Sequence, residues 1–253
     1  MAAQVALITA GSAGLGAATA RLFASQGLRV IVNYSNNRAR ADALVQELHT
    51  LSPLPSDGEV KNFIAIQADL GKREEIARLV EEAVQAMGKL DVVFSNAGWT
   101  RVVPFLELDE NVNEEDWDRC YLMNVKSHLW LCHASRKYLE ATEGCFITTA
   151  SCAGIKPSGS SLAYSVTKAA QIHLVKGLAK SCAPKIRVNS VSPSLMMTDW
   201  GLSFPQASQD AAREATVLKK FVTVEDVAQQ VLCFARSKTV TGVNSVLDAG
   251  FTL

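Results

Sequence analysis

Val5-Ala6-Leu7-Ile8-Thr9-Ala10-Gly11-Ser12-Ala13-Gly14-Leu15-Gly16 is an apolar run of strand length that ends in a glycine turn. Glycine lets the backbone approach a ligand and lets helix and strand pack closely, while the helix that follows offers unpaired N–H groups and positive potential. On its own this is an ordinary strand-to-helix turn. Straight after the first strand of an alternating chain it becomes a seat for a dinucleotide pyrophosphate.

The rest of the chain does alternate. Helices are expected over residues 14–26, 38–49, 72–87, 162–182 and 224–235, with a long helical stretch over 114–140. Strands are expected over 5–9, 28–32, 60–68, 90–95, 145–150, 186–191 and 243–247. A Pro/Ser/Gly loop covers 52–58, and 194–219, with Pro205 and no clean period, is expected to be a mobile flap over a substrate. Repeated βα units of this kind build a doubly wound α/β fold on a mostly parallel sheet. No repeat or linker interrupts the pattern, so 1–253 is expected to be one domain.

Bulk numbers narrow the partners. With 253 residues, 48% of them hydrophobic, the chain can bury one sizeable core. Lys+Arg and Asp+Glu both number 25, which offers no net charge to nucleic acid or an anionic membrane. A small molecule is the expected partner. Six cysteines lack any C-x-x-C or His/Cys metal spacing and read as reduced thiols, with no metal expected. A first strand starting at about Val5 leaves no room for a leader, and no apolar run reaches the roughly 18 residues of a membrane span. A cytoplasmic protein is expected.

Tyr164-Ser165-Val166-Thr167-Lys168 carries the second decisive signal, with Ser151 thirteen residues upstream of the tyrosine. On a helix the four-residue step puts phenol and ammonium on one face, where the cation is expected to lower the phenol pKa. A free tyrosine titrates near pH 10, and each unit of downward shift corresponds to about 1.4 kcal/mol. That is equipment for moving a proton to or from an alcohol or carbonyl oxygen. A proton site together with a hydride carrier points to an oxidoreductase. After the second strand, Asn33-Tyr34-Ser35-Asn36-Asn37-Arg38 contains no acid to hold an adenosine ribose. Ser35, Asn36 and Arg38 are suited instead to a 2′-phosphate, which favours NADP(H) and leaves NAD(H) open.

The glycine turn, Asn96-Ala97-Gly98, Asn124, Ser151, Tyr164 and Lys168, in this order, resemble the short-chain dehydrogenase/reductase family over essentially the whole chain, Val240-Thr241-Gly242 and Asp248-Ala249-Gly250 included. The resemblance implies that Tyr164 is the general acid/base and that Ser151 holds the substrate oxygen. It implies that Lys168 binds the nicotinamide ribose and lowers the tyrosine pKa, and that Asn124 anchors a water joining Lys168 to solvent. For the cofactor it implies contacts from Gly11, Ser12, Ala13, Gly14, Leu15 and Gly16, from Asn33 and Tyr34, from Asp69 and Leu70 near the adenine, and from Asn96, Ala97 and Gly98. Lys126 belongs on the adenine side, and Pro193, Leu195 and Thr198 on the nicotinamide. A homodimer or homotetramer is implied as well.

Three positions depart from the family pattern. Ala10 occupies the first glycine slot, Ser194 the glycine after Pro193, and Ser95 the asparagine before Asn96. For the substrate, Met196, Met197, Trp200, Leu202 and Phe204 in the flap, with Leu195 and Trp99, are expected to wall an apolar or aromatic pocket. His49, His128, His133 and His173 read as structural or surface residues, and Cys152 as a small pocket residue rather than a nucleophile. The expected activity is NADP-dependent interconversion of a ketone and an alcohol on an apolar or aromatic small molecule. A non-redox cyclisation or isomerisation on the same fold, and a non-catalytic NADP-sensing protein, stay open.

Overall fold

A computed structural model describes residues 3–55 and 61–253. Seven parallel strands form one sheet in the order β3-β2-β1-β4-β5-β6-β7. They are β1 (Val5–Ile8), β2 (Arg29–Tyr34), β3 (Phe63–Gln67), β4 (Val92–Ser95), β5 (Cys145–Thr149), β6 (Arg187–Pro193) and β7 (Asn244–Leu247). The helices are α1 (Gly14–Ser25), α2 (Arg38–Leu51), α3 (Arg73–Met87), α4 (Glu114–Tyr121), α5 (Ser127–Thr142), α6 (Leu162–Ser181), α7 (Asp199–Leu202), α8 (Gln206–Glu214) and α9 (Val224–Arg236). This is the doubly wound, Rossmann-like arrangement. Its strand order reverses between β1 and β4, and such a fold binds its ligand in the crevice beyond the carboxyl ends of the strands at that reversal.

Side chains of a strand alternate between faces, and here both faces are covered. Ala6, Ile8, Val30, Val32, Val92, Phe94 and Ile147 face the layer of α1, α2 and α9, whereas Val5, Leu7, Ile31, Val93 and Phe146 face α3, α5 and α6. Phe23, Phe94 and Phe146 are among the largest fully buried side chains. Each contributes on the order of 1.5–3 kcal/mol through removal from water.

Two segments differ from the sequence-based expectation. The helical stretch over 114–140 is not continuous: α4 passes into a π-helical turn at Leu122–Lys126 before α5 begins. The wider turn admits an extra residue and rotates Asn124 into the interior, where it is fully buried. The 194–219 flap, expected without regular structure, contains α7 and α8. Thr198 caps α7, its Oγ1 accepting from the Gly201 N–H, and Met196 bridges to Val222 in strand fashion. Their shortness, four and nine residues, hid both helices from a periodicity reading. Val60, expected to begin the third strand, and positions 56–58 of the expected loop lie outside the described residues.

Candidate active site

The crevice is a cleft of about 670 Å³ between the carboxyl ends of β1, β4, β5 and β6 and the α7–α8 segment. Its floor is set by hydrogen bonds between neighbouring strand ends. Thr9 Oγ1 accepts from the Asn96 and Ala97 N–H groups at 2.8 and 3.3 Å, and Thr149 Oγ1 donates to Asn96 Oδ1 at 2.9 Å. The glycine turn closes over this floor. A Cβ on Gly16 would overlap the Ala10 carbonyl, and Gly14 has φ +49°, a conformation that disfavours side chains. Ala10 itself sits at φ 47°, so the alanine that departs from the family pattern holds a backbone shape suited to glycine.

Ser151 stands two residues beyond β5 and caps the short 3-10 turn Cys152–Gly154, its Oγ accepting from the Ala153 N–H at 3.1 Å. Ser161 caps α6 by accepting from the Tyr164 N–H at 3.1 Å, which fixes the tyrosine in the first helical turn. Lys168 follows one turn later, only 3% exposed, with Nζ 5.6 Å from the centre of the Tyr164 ring. Tyr164, Lys168 and Ser151 all line the cleft.

Electrostatically the pair departs from the expectation. Burial pushes the Tyr164 phenol up to about 12, with the Ser151 hydroxyl pulling the other way, and burial pulls Lys168 down to about 7. The reason is visible in the lysine's contacts: its Nζ donates to the Thr149 carbonyl at 2.8 Å and to Gln171 Oε1 at 2.9 Å. Neither acceptor carries charge, so burial of the ammonium outweighs the opposing influence of Cys120. The phenol stays protonated across the neutral range.

Asn124 has its carboxamide engaged within the protein. Oδ1 accepts from the Trp99 N–H at 2.8 Å, and Nδ2 donates to the Trp99 carbonyl at 2.9 Å and to Thr167 Oγ1 at 3.0 Å. It therefore ties the loop after β4 to α6. The bare Gly98 leaves a gap beside it: an added Cβ would lie 3.1 Å from Asn124 Oδ1 and 3.5 Å from Lys168 Nζ.

The expected contacts divide by place. Gly14, Leu15, Asn96, Gly98, Pro193, Leu195 and Thr198 line the cleft. Ser35, Asn36 and Arg38 are exposed past the end of β2, where Arg38 pairs with Asp42 at 3.3 Å. Asn33, expected to contact a cofactor, is 2% exposed and braces the turn from beneath. Its Oδ1 accepts from the Ala10 N–H and its Nδ2 donates to the Tyr34, Ile66 and Ala68 carbonyls. Tyr34 and Leu70 are buried in the two cores, Asp69 is half-buried with Oδ1 accepting from the Gly71 N–H, and Lys126 is exposed.

On the substrate side, Trp99, Met196, Trp200 and Phe204 line the cleft. Trp200 lies 6.3 Å from the Tyr164 ring and meets Phe204 edge to face at 4.9 Å. Met197 and Leu202, expected in the same wall, are exposed and outside the lining: Met197 stands between Met196 and Thr198, which line the cleft, and Leu202 ends α7 beside the exposed Ser203. The cleft also takes Val102, Phe105, Phe221 and Phe251. Sequence reading missed these because they come from irregular loops and the far end of the chain, where no periodicity marks a face. His128, read from sequence as merely structural, lies fully buried in hydrogen-bond contact with Gln171, which holds Lys168.

The cleft fits a dinucleotide: a glycine turn close to Thr198, where a Cβ on Gly14 would intrude, at a strand reversal. The remaining five cysteines besides the exposed Cys233 are buried, and burial pushes the Cys152 thiol up to about 11, which removes it as a nucleophile. Among the described residues no group of three His, Cys, Asp or Glu is placed to hold a metal, and no helix is long and apolar enough to cross a membrane.

Fold and site together define a nicotinamide-dependent oxidoreductase acting on C=O or CH–OH groups. Comparison with known proteins supplies the family. The sequence profile described as enoyl-(acyl carrier protein) reductase matches residues 9–252. A 3-oxoacyl-(acyl-carrier-protein) reductase of Thermotoga maritima is 31% identical, covering 99% of this chain and 98% of its own. A versicolorin reductase of Emericella nidulans is 33% identical over 79% of this chain and 72% of its own. The crystal structure of a short chain dehydrogenase from Burkholderia cenocepacia, in complex with NADP, superposes with a TM-score of 0.88 at 29% identity, covering 99% and 98% of the two chains. The chain belongs to the short-chain dehydrogenase/reductase family.

Proposed function

We propose that this protein is an NADP-preferring ketone reductase for apolar, aromatic small molecules, with Tyr164 as proton donor. The observation that carries the reading is the position of the phenol, facing the cleft beside Ser151 and within 6.3 Å of Trp200. A protonated phenol is the state that reduction requires, and burial keeps Tyr164 in it. Ser151 and Tyr164 hydrogen-bond the carbonyl oxygen, polarise it and fix its carbon; Tyr164 then gives its proton to that oxygen as charge develops. Such positioned acid catalysis contributes roughly 10²–10⁴-fold in rate. Bound nicotinamide supplies the hydride.

Lys168 holds the nicotinamide ribose and returns a proton to Tyr164, with Asn124 bordering the gap through which water would reach it. Gly11, Ser12, Ala13, Gly14, Leu15 and Gly16 cradle the pyrophosphate, and Asp69 and Leu70 flank the adenine. The NADP preference is supported by the absence of an acid after β2, where Ser35, Asn36 and Arg38 stand exposed. The aromatic specificity is supported by Trp99, Phe105, Trp200, Phe204, Phe221 and Phe251, six aromatic side chains on one cleft with Tyr164. We take 1–253 as one catalytic domain whose residues 194–219 close over the substrate, in a cytoplasmic protein. A second copy would dock on the exposed Tyr121, Leu129 and Val166 of α4, α5 and α6.

The test is oxidation of NADPH and of NADH over a panel of small aliphatic, bicyclic aromatic and polycyclic aromatic ketones and quinones. Faster turnover with NADPH, on the aromatic members, is expected, and Tyr164→Phe should abolish it. Equal rates on acetone-sized ketones would overturn the substrate assignment, and retained activity in Tyr164→Phe the proton donor.

A further inference from the structure

A second polar system lies inside the protein behind Lys168. Ser95 ends β4, His128 lies on α5 and Gln171 on α6; they are 2%, 0% and 0% exposed. Ser95 Oγ is 2.6 Å from His128 Nδ1, His128 Nε2 is 3.0 Å from Gln171 Nε2, and Gln171 Oε1 is 2.9 Å from Lys168 Nζ. Gln171 Nε2 also reaches the Thr149 carbonyl, at 3.2 Å. Three elements thus bury an unbroken polar chain ending on the lysine.

Donor and acceptor rules fix the direction of every link. An ammonium only donates, so Gln171 must turn its carbonyl oxygen to Lys168 and its NH₂ to Thr149 and His128. His128 Nε2 then accepts and carries no proton. The imidazole is therefore neutral, protonated on Nδ1, and donates to Ser95. A proton on Nε2 would face the Gln171 NH₂ and force the carboxamide over, setting NH₂ against ammonium. Imidazolium and ammonium exclude each other through one amide. Burial and the Lys168 charge, in that order, hold His128 down at about 3, in keeping with this geometry.

We propose that Ser95, His128 and Gln171 are positioning residues for Lys168, a hydrogen-bonded chain that locks the ammonium with one N–H left for the cleft. Two of its three donors are taken by Thr149 and Gln171. The lock uses a neutral acceptor, so the lysine is oriented without its charge being cancelled. The titratable groups around it are Tyr164 on its own helix, His128 on α5 and Cys120 on α4, while Cys152 in the turn after β5 acts on Tyr164. The single charged residue of β6, Arg187, is bonded to the Phe234 and Ala235 carbonyls instead. The proposal rests on Lys168 being the residue that faces the cofactor.

Long-range ¹H–¹⁵N spectra of the histidine-labelled intact protein test the chain without any substitution. Below about pH 7, where Lys168 is charged, His128 should show the Nδ1–H tautomer, and it should take up no second proton between about pH 5 and 9, against an ordinary histidine pKa near 6.5. An Nε2–H or titrating His128 would overturn the proposal. Binding of NADPH and NADH, followed by fluorescence against pH, tests the consequence. Gln171→Leu should weaken the tighter-binding cofactor about tenfold, the scale of one hydrogen bond to a charged group. Gln171→Glu should restore affinity, move the pH midpoint of binding to the alkaline side because a carboxylate favours the ammonium, and transfer the His128 proton to Nε2. Wild-type affinity and pH midpoint in Gln171→Leu, beside a Lys168→Met that loses both, would overturn the positioning chain. Unchanged binding and turnover in Lys168→Met would instead overturn the assignment of Lys168 itself.

Discussion

The two walls of the cleft are built by opposite means. On the strand side, side chains are pinned by hydrogen bonds to backbone: Thr9 to the Asn96 and Ala97 N–H groups, Asn124 to Trp99, Lys168 to Thr149, Asn33 to four main-chain atoms. On the α7–α8 side, Met196, Trp200 and Phe204 meet the cavity through apolar contact, and Trp200 remains 43% exposed. A hydrogen-bonded wall has one low-energy arrangement, because a displaced buried donor or acceptor goes unpaired. An apolar wall can repack at small cost, and thioether side chains ease that. The strand wall is thus suited to fixed chemistry and the helical wall to the choice of substrate.

That contrast can be broken most decisively at the phenol. Tyr164→Phe should lower kcat for ketone reduction by roughly 10²–10⁴-fold, leaving the NADPH dissociation constant within about twofold of wild type; steady-state rates and fluorescence titration check both. Gly16→Ala attacks the rigid wall where a methyl overlaps the Ala10 carbonyl. It should cost about 1–3 kcal/mol of stability and weaken cofactor binding, seen in thermal melts with and without NADPH. Trp200→Ala probes the adaptable wall and should raise KM for a bicyclic aromatic ketone roughly tenfold, with little change for a small aliphatic one. A comparable loss on both ketones would show the aromatic wall to be structural.

Lys168 gives a prediction in pH. Its pKa is about 7 in the folded protein against 10.5 in its ordinary state, so between those values the unfolded chain binds the extra proton and stability rises with pH. Below about 7 the burial penalty is fully present. Above 10 the Tyr164 phenol, raised from 10.0 to about 12, contributes the opposite slope. Denaturant melts of the cofactor-free protein between pH 6 and 10 should show that rise, and Lys168→Met should flatten it. The smallest effect belongs to Ala10→Gly, which relieves a left-handed backbone at φ 47° and should stabilise the protein by about 1 kcal/mol.

Much of this was legible in the chain. The β1 run into the glycine turn, and the alternation after it, gave the sheet and the crevice because strand and helix periods are local properties. Tyr164, Lys168 and Ser151 were legible through their spacing on α6 and just beyond β5. The sign of the Tyr164 shift was not: it is set by burial of the phenol, which outweighs the Ser151 hydroxyl and which only the folded protein brings about. The π-helical turn was hidden because an inserted residue barely disturbs helical period. Val102, Phe105, Phe221 and Phe251 were hidden for a related reason, since tertiary folding alone brings loop residues to one surface.

The end of the chain closes part of the cleft. Phe251 lines it, its carbonyl accepts from Lys156 Nζ at 2.9 Å with the ammonium 4.7 Å over its ring, and Thr252 is bonded twice to Asp248. Ala249 in turn accepts from the Leu218 N–H beyond α8. Removing residues 249–253 would therefore strip one side of the substrate chamber and slacken the segment that roofs it.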